Sequence, residues 1–323
     1  MLTLQNLFMV IEIRGENMES NVANYHIPAL LKESVDLLDI RPDGVYADAT
    51  FGGGGHSREI LRRLGPEGRL FGFDRDRDAL CNVPDDPRFT FVLSDFRFMR
   101  NFLKFYGYEK IDGIIADLGV SFHHFDSPER GFSFRADAPL DMRMNSASPL
   151  TAREIVNQSS EDRLRDIFRS HTDLRSASEV ARRIVAARKE RPLETTLELV
   201  EAVVPALDPR SQKKELAQVF QAIRIVTNNE MESLNSLLEQ SEHILKRNGR
   251  FVVLTYHSGE DRKVKDFFKT GNLRGEIQED LIFGGKQSPW KLLNKNPIVA
   301  SAAEVEENPR ARSAKLRAAI LKK

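Results

Sequence analysis

Cysteine is almost missing from this chain: Cys81 is the single example in 323 residues. A lone thiol excludes an internal disulfide and a cysteine-based zinc frame, and it fits a reducing compartment. An excess of charge of one sign is missing as well, since Lys+Arg and Asp+Glu both count 48. Proteins that coat naked nucleic acid are usually basic, so any contact with RNA or DNA here has to come from local patches. No apolar run is long enough to span a bilayer. The most apolar stretch near the start, residues 2–13, is broken by Gln5, Asn6 and Glu12. It lacks the preceding cations and small-residue cleavage site of a signal peptide. The expectation is therefore a cytoplasmic protein without membrane contact, with residues 1–23 as a loosely attached extension. What is present is globular: 41% hydrophobic and 30% charged residues exclude a collagen-like, mucin-like or wholly disordered chain. The length suggests roughly two domains, or one core with a large insertion.

Regular patterning begins near residue 24. Residues 29–38 have helical periodicity, and 44–50 read as a strand entering the glycine cluster Gly52 to Gly55. A helix over 57–64 is stopped by Gly65-Pro66, and strands follow at 69–74, 88–93 and 111–117. This alternation predicts a parallel, doubly wound sheet. Residues 126–212 offer no strand and several helical stretches, punctuated by Pro192, Pro205 and Pro209. A helix over 230–246 then ends at Asn248-Gly249, and 250–255 read as a strand. The expected organisation is a core of residues 24–125 and 213–323 around a helical insertion at 126–212.

The segment Asp48 to Ser57 carries the first chemistry. Consecutive glycines remove every Cβ from the loop, so a ligand can approach the backbone. The helix behind the loop offers unpaired N–H groups. Asp74 ends the next strand, where a carboxylate can accept both hydroxyls of a ribose. A dinucleotide fingerprint fits poorly, because Ser57 or Arg58 falls where its last glycine belongs. Asp48, Thr50, Gly52 and Gly54 follow instead the order of an S-adenosylmethionine loop, with Asp48 available to the cofactor's ammonium group directly or through water. A plain tight turn is the alternative. Asp117 ends the fourth strand, on the side where open α/β sheets bind ligands.

These and other segments together resemble one family, the bacterial 16S rRNA (cytosine-N4) methyltransferases of the MraW type. The resemblance runs from Tyr25 to Lys323. It rests on Tyr25-His26-Ile27-Pro28, the Asp48–Ser57 loop, Asp74-Arg75-Asp76, Asp117-Leu118-Gly119-Val120-Ser121, Arg130-Gly131-Phe132-Ser133-Phe134 and Leu140-Asp141-Met142-Arg143-Met144. It continues in Phe220-Gln221-Ala222-Ile223-Arg224-Ile225, His257-Ser258 with Glu260-Asp261-Arg262, and the run Asn308 to Arg317. The resemblance implies a Rossmann-like class I methyltransferase core with an inserted helical domain. It implies S-adenosyl-L-methionine as cofactor and, as substrate, the N4 amine of a cytidine in the decoding region of 16S rRNA, within the small ribosomal subunit. The family's cofactor contacts fall on Gly54, Gly55, His56, Asp74, Phe96 and Asp117, and on His124 where the family has glutamine. Gly259 replaces the usual leucine. Asp95 replaces a frequent asparagine, either accepting from an adenine amine or simply ending its strand.

Methylating a cytosine amine requires alignment of the amine, a localised lone pair and loss of a proton. Asp117 is the candidate for that work, with cofactor contact as its other role; His257 is a second candidate, or a structural hydrogen-bonding group. His123 and His124 with Asp126 have no further ligand at metal spacing nearby, so no metal is expected. Phe132, Phe134 and Trp290 can stack an unpaired base or belong to the core. The cations of 308–323, and Arg182, Arg183, Arg188, Lys189 and Arg191 in the insertion, suit phosphate contact or an ordinary solvated face. The alternatives are transfer to another nucleic-acid amine, an NAD-dependent dehydrogenase, and a non-catalytic RNA-binding scaffold.

Overall fold

A computed structural model describes residues 28–119, 128–276 and 288–322. The chain divides into two compact units. One runs to Gly119 and resumes at Ser233, and the other spans Val120–Glu232.

The first unit is built on a seven-stranded sheet. Its strands are β1 (Val45–Asp48), β2 (Arg69–Asp74), β3 (Phe89–Leu93), β4 (Ile111–Asp117), β5 (Leu245–Thr255), β6 (Trp290–Leu292) and β7 (Lys315–Leu321). They lie in the order β3-β2-β1-β4-β5-β7-β6. β1 to β5 pair in parallel, while β7 runs antiparallel to both β5 and β6. This is the Rossmann-like methyltransferase arrangement expected from the sequence. Every residue of β1 is buried, and so are Ile111 to Ala116 of β4. Strands covered on both faces lose the polar alternation of a surface sheet, which is why they read as nearly continuous apolar runs. The strand order reverses at β1, between β2 and β4, so their carboxyl ends open onto the crevice where such sheets bind ligands.

Two elements differ from the expected pattern. The helix Glu230–Ile244 stops early, and β5 begins at Leu245 rather than at residue 250. Its pairing with β4 jumps from Ile111–Leu245 to Gly113–Arg250, so residues 246–249 bulge opposite Asp112. Asn248 takes a left-handed φ of 64° at the turn. The bulge is tethered by the buried Asp112 carboxylate. That group accepts from Lys246 Nζ and from the Val45 N–H, both at 2.8 Å, and pairs with Arg41. The second difference is at the C-terminal end. The cationic run that suits phosphate contact is largely strand β7, whose Arg317 is 7% exposed. Arg317 Nε lies 2.6 Å from Asp261 Oδ1, and Lys315 approaches the same carboxylate at 3.5 Å. Trp290 is buried against Phe251, Phe267 and Phe268 with ring centroids 5.5–6.2 Å apart, so it is a core residue, not a stacking platform.

The second unit is helical. Its helices are Ala152–Gln158, Glu161–His171, Ala177–Glu190, Thr196–Val203 and Gln212–Thr227. Thr151 with Glu154, and Thr195 with Glu198, form capping boxes that satisfy the first orphan N–H groups. Leu164, Phe168, Val180, Ile184, Leu199, Val219, Phe220 and Ile223 share one core with Phe132, and Phe134 packs edge-on against Phe220. Both phenylalanines are thus structural. The helix Gln212–Thr227 turns Leu216, Val219, Phe220 and Ile223 into this core, so the unit continues to Glu232 rather than ending at the expected residue 212. Asn228 clasps the segment Leu140–Met144, accepting from the Met144 N–H at 2.7 Å and donating to the Met142 carbonyl at 2.8 Å. The cations of Ala177–Glu190 are mostly engaged: Arg182 and Arg183 pair with Glu179, and Arg188 donates to the Val156 carbonyl at 2.6 Å. Arg191 lies 3.0 Å from Glu198.

The Arg317–Asp261 pair makes a measurable contribution. Burial pushes the Asp261 carboxyl up, but the hydrogen bond and charge of Arg317 outweigh it and hold the group below its ordinary value of 3.8. A carboxylate whose folded value is depressed stabilises fully above the unfolded value, and the contribution fades as pH falls through the folded one. Asp261→Asn is expected to cost about 3 kcal/mol at neutral pH, as for breaking a largely buried ion pair. The gap from wild type should narrow below pH 3.8 in thermal unfolding. A gap that is absent, or constant with pH, would show that the pair does not anchor β7.

Candidate active site

The crevice is built around the loop that joins β1 to the helix Gly55–Arg63. The loop is stitched to both neighbouring strands. The Ala49 N–H donates to the Ile115 carbonyl on β4, and the Phe51 N–H to the Phe73 carbonyl on β2, each at 2.8 Å. Thr50 Oγ1 accepts from the Asp117 N–H at 2.7 Å. Gly52 and Gly54 take φ of 49° and 74°, the left-handed region that glycine enters without penalty. Gly55 is required for a different reason. A Cβ there would lie 2.3 Å from Pro28 Cγ, so the proline of the Tyr25-His26-Ile27-Pro28 segment closes directly onto the start of the helix.

Three adjacent strands, β2, β1 and β4, end in Asp74, Asp48 and Asp117, and the three carboxylates have different tasks. Asp48 is 1% exposed. Its Oδ1 accepts from the Thr50 N–H at 3.1 Å and its Oδ2 from Ser57 Oγ at 2.7 Å. Burial pushes this carboxyl up, against the opposing pull of His56, Ser57 and Thr50. Asp48 therefore organises the loop, and a direct contact with a ligand's ammonium group is not its role. Asp74 is half-buried; its Oδ2 accepts from the Gly52 N–H and its Oδ1 from the Asp76 N–H, both at 2.8 Å. Asp117 keeps 19% of its side chain exposed. Its Oδ1 accepts from the Gly119 N–H at 3.2 Å, and Oδ2 lies 3.9 Å from His56 Nδ1.

His56 is buried, and its Nε2 has no hydrogen-bond partner among the described residues. An orphaned polar atom beneath a glycine cradle fits a site whose remaining partner is a ligand. Phe96 follows β3; it is 6% exposed, with the Arg75 guanidinium 5.7 Å from its ring centroid. Asp95 caps the turn Phe96–Phe98 by accepting from the Arg97 N–H at 2.9 Å. It also accepts from Ser233 Oγ at 2.8 Å and has Arg75 at 3.5 Å, so it fastens the end of the strand.

The structure thus brings together Gly54, Gly55, His56, Asp74 and Asp117. His257 caps the helix Ser258–Thr270, with Nδ1 accepting from the Glu260 N–H at 3.4 Å; its Nε2 lies 3.1 Å from Glu260 Oε1 and, like His56 Nε2, is buried without a hydrogen-bond partner among the described residues. His124, with His123 and Asp126, lies outside the described residues. One residue not singled out from the sequence is Tyr256, whose ring packs against Gly119 beside Asp117, a Cβ at Gly119 lying 2.8 Å from Tyr256 Cε2 and 3.2 Å from Asp117 Oδ1. The available signal was a polar aromatic directly after the apolar run of β5.

A model of the MraW methylase family matches residues 23–322. The chain is 53% identical over 302 residues to the ribosomal RNA small subunit methyltransferase H of Bacteroides thetaiotaomicron, covering 94% of this chain and 99% of that one. It is likewise 53% identical over 295 residues to the protein of that name from Flavobacterium johnsoniae, covering 91% and 97%. Among solved structures, an rRNA methylase from Streptococcus thermophilus aligns over 93% of this chain and 100% of that chain, with 10% identity and a TM-score of 0.40.

The close seat of Pro28 on Gly55 sets a test of the loop. Gly55→Ala should lower stability by about 1–3 kcal/mol, the range for overpacking a tight contact. An unchanged midpoint in thermal unfolding would mean that Pro28 does not close on the loop.

Proposed function

The chain belongs to the MraW methylase family, and on that premise we propose that it methylates the N4 exocyclic amine of a cytidine in the decoding region of 16S rRNA. The methyl donor is S-adenosylmethionine, which supplies a methyl group on a sulfonium when bound. Membership of a methylase family sets aside the dehydrogenase and the non-catalytic scaffold. The names of the relatives support ribosomal RNA of the small subunit as the substrate, and a cytoplasmic setting follows from that substrate. No helix among the described residues is long and apolar enough to cross a membrane.

The observation that carries the proposal is the division of labour among the strand-end carboxylates. Asp48 is closed within the loop, while Asp74 and Asp117 remain accessible on either side of it. Asp74 would accept the ribose hydroxyls of the donor. Gly54 and Gly55 would admit it against the backbone, His56 Nε2 would offer it a hydrogen-bonding atom that has no partner among the described residues, and Phe96 would offer it an apolar ring.

Asp117 is then the group left for the amine. The amine nitrogen is a weak nucleophile because its lone pair is delocalised into the ring. A carboxylate accepting an N4–H bond localises that pair and stabilises the positive charge that develops on nitrogen. The same carboxylate receives the departing proton or passes it to solvent. Asp117 is suited to this because its backbone follows Ile114, Ile115 and Ala116, each 0% exposed, so the carboxylate is presented from a rigid strand end.

Asp117→Asn keeps size and an acceptor oxygen but removes the charge. Single-turnover methylation should slow by about 10²–10³, the effect of losing one preorganised electrostatic contact, while donor affinity in a calorimetric titration falls far less. Equal losses in both would reduce Asp117 to a cofactor ligand. An unchanged rate would remove it from the site.

A further inference from the structure

β3 is an edge strand of the sheet. The chain leaves its carboxyl end through the turn Phe96–Phe98 and enters the helix Met99–Phe105. One face of this helix is core: Met99, Phe102 and Leu103 are buried, and Phe102 meets Phe73 edge-on with ring centroids 6.2 Å apart. The start of the helix is pinned by the buried side chain of Gln240. It accepts from the Arg100 N–H at 2.8 Å and donates to the Phe96 and Arg97 carbonyls at 3.1 and 3.2 Å.

The outward face carries two stripes. Phe105 is 68% exposed, more than any other large apolar side chain among the described residues, and Phe98 is 37% exposed. Seven residues of helix are about two turns, so the two rings lie on one side, about 10 Å apart along the axis. Arg97, Arg100 and Lys104 follow each other at spacings of three and four and form the adjoining stripe, and residues 96–108 hold no acid. The Arg97 guanidinium lies 5.0 Å from the Phe98 ring centroid and 3.8 Å from Asp95. Arg100 and Lys104 are exposed, and neither side chain has an ion-pair partner among the described residues. The cations Arg182, Arg183 and Arg191 of the helical unit are instead each paired with a glutamate.

We propose that this face, from Phe98 to Phe105, is a docking surface for the RNA substrate. The rings stack unpaired bases that flank the target, and Arg100 and Lys104 hold their phosphates. The proposal rests on the reading of small-subunit ribosomal RNA as substrate given above. Exposed aromatic rings beside unneutralised cations are the combination that holds single-stranded nucleic acid, because every base has a face to stack and every phosphate a charge. A second copy of this chain is a poorer occupant, since it would set the same cations against each other. The surface also begins where the chemistry is. Phe96 is buried on the crevice side and Phe98 is exposed two residues later in the same turn, so RNA on this helix lies beside the carboxyl ends of the strands.

The test measures binding of the full-length chain to small-subunit ribosomal RNA that lacks the modification, by filter binding over a salt series. Phe105→Ala, Phe105→Tyr and the pair Arg100→Ala with Lys104→Ala are compared with wild type. Phe105→Ala should weaken binding by about 5–100-fold, the effect of losing one stacked base, and Phe105→Tyr should bind like wild type because it keeps the ring. The double variant should make the dependence of log affinity on log salt shallower by about 1.5–2. Thermal unfolding and calorimetric titration of S-adenosylmethionine should be unchanged in all three, since these side chains touch neither the core nor the crevice. Wild-type affinity in Phe105→Ala, an unchanged salt slope in the double variant, or an equal loss in Phe105→Tyr each overturn the proposal. So does unchanged RNA binding accompanied by loss of a dimer in sedimentation, which would give the face to a second copy. If wild type and variants bind RNA equally, only this surface fails. If wild type does not bind the RNA, the substrate reading falls with it.

Discussion

Two backbone hydrogen bonds set the geometry of the crevice before any ligand arrives. Ala49 and Phe51 donate across to Ile115 on β4 and Phe73 on β2, so the loop after β1 is fastened to both flanking strands. Everything else at the site depends on that fastening. It places Gly52 under Asp74, Thr50 under the Asp117 N–H, and the start of the helix Gly55–Arg63 beneath Pro28. Asp48 completes it from inside, since an acid closed on Thr50 and Ser57 holds the loop's curvature without needing solvent. The cost of burying that carboxyl is offset by hydrogen bonds that exist only in this one loop conformation.

Much of this was legible in the chain. Buried parallel strands leave apolar runs, and three of these runs end in an acid, so Asp48, Asp74 and Asp117 stand out by position alone. Their separate roles do not, because exposure decides them: Asp48 is enclosed and the other two are not. The last two strands are hidden for a related reason. Lys315 and Arg317 look like a cationic run, yet β7 places Arg317 against Asp261, a partner 56 residues earlier in the chain. A long-range ion pair leaves no local signature. The helix Gln212–Thr227 falls on the other side of the boundary from the one expected, because an apolar stripe does not say which core it faces. The bulge before Arg250 depends on the contact between Lys246 and Asp112, which is equally invisible from periodicity.

Charge accounts for less of the RNA contact than the sequence suggested. The balanced composition is carried into the fold as ion pairs: Arg182 and Arg183 on Glu179, Arg191 on Glu198, and Arg317 on Asp261. Exposed pairs of this kind contribute little to stability, but they lower the field that a phosphate backbone would meet. The aromatic residues that looked available for stacking, Phe132, Phe134 and Trp290, are likewise committed to the two cores. The substrate assignment therefore leans on kinship to ribosomal RNA methyltransferases, and the chemistry on the strand-end carboxylates.

The proposed reaction in this crevice delivers a methyl group to the amine of a cytidine in 16S rRNA. The most direct measurement is mass spectrometry of nucleosides from small-subunit ribosomal RNA that lacks the modification, before and after incubation with the purified chain and S-adenosylmethionine. The expected product is new N4-methylcytidine, located in the decoding region by sequencing of the fragments. A methyl group on a different base, on the ribose or on carbon 5 of cytosine would contradict it.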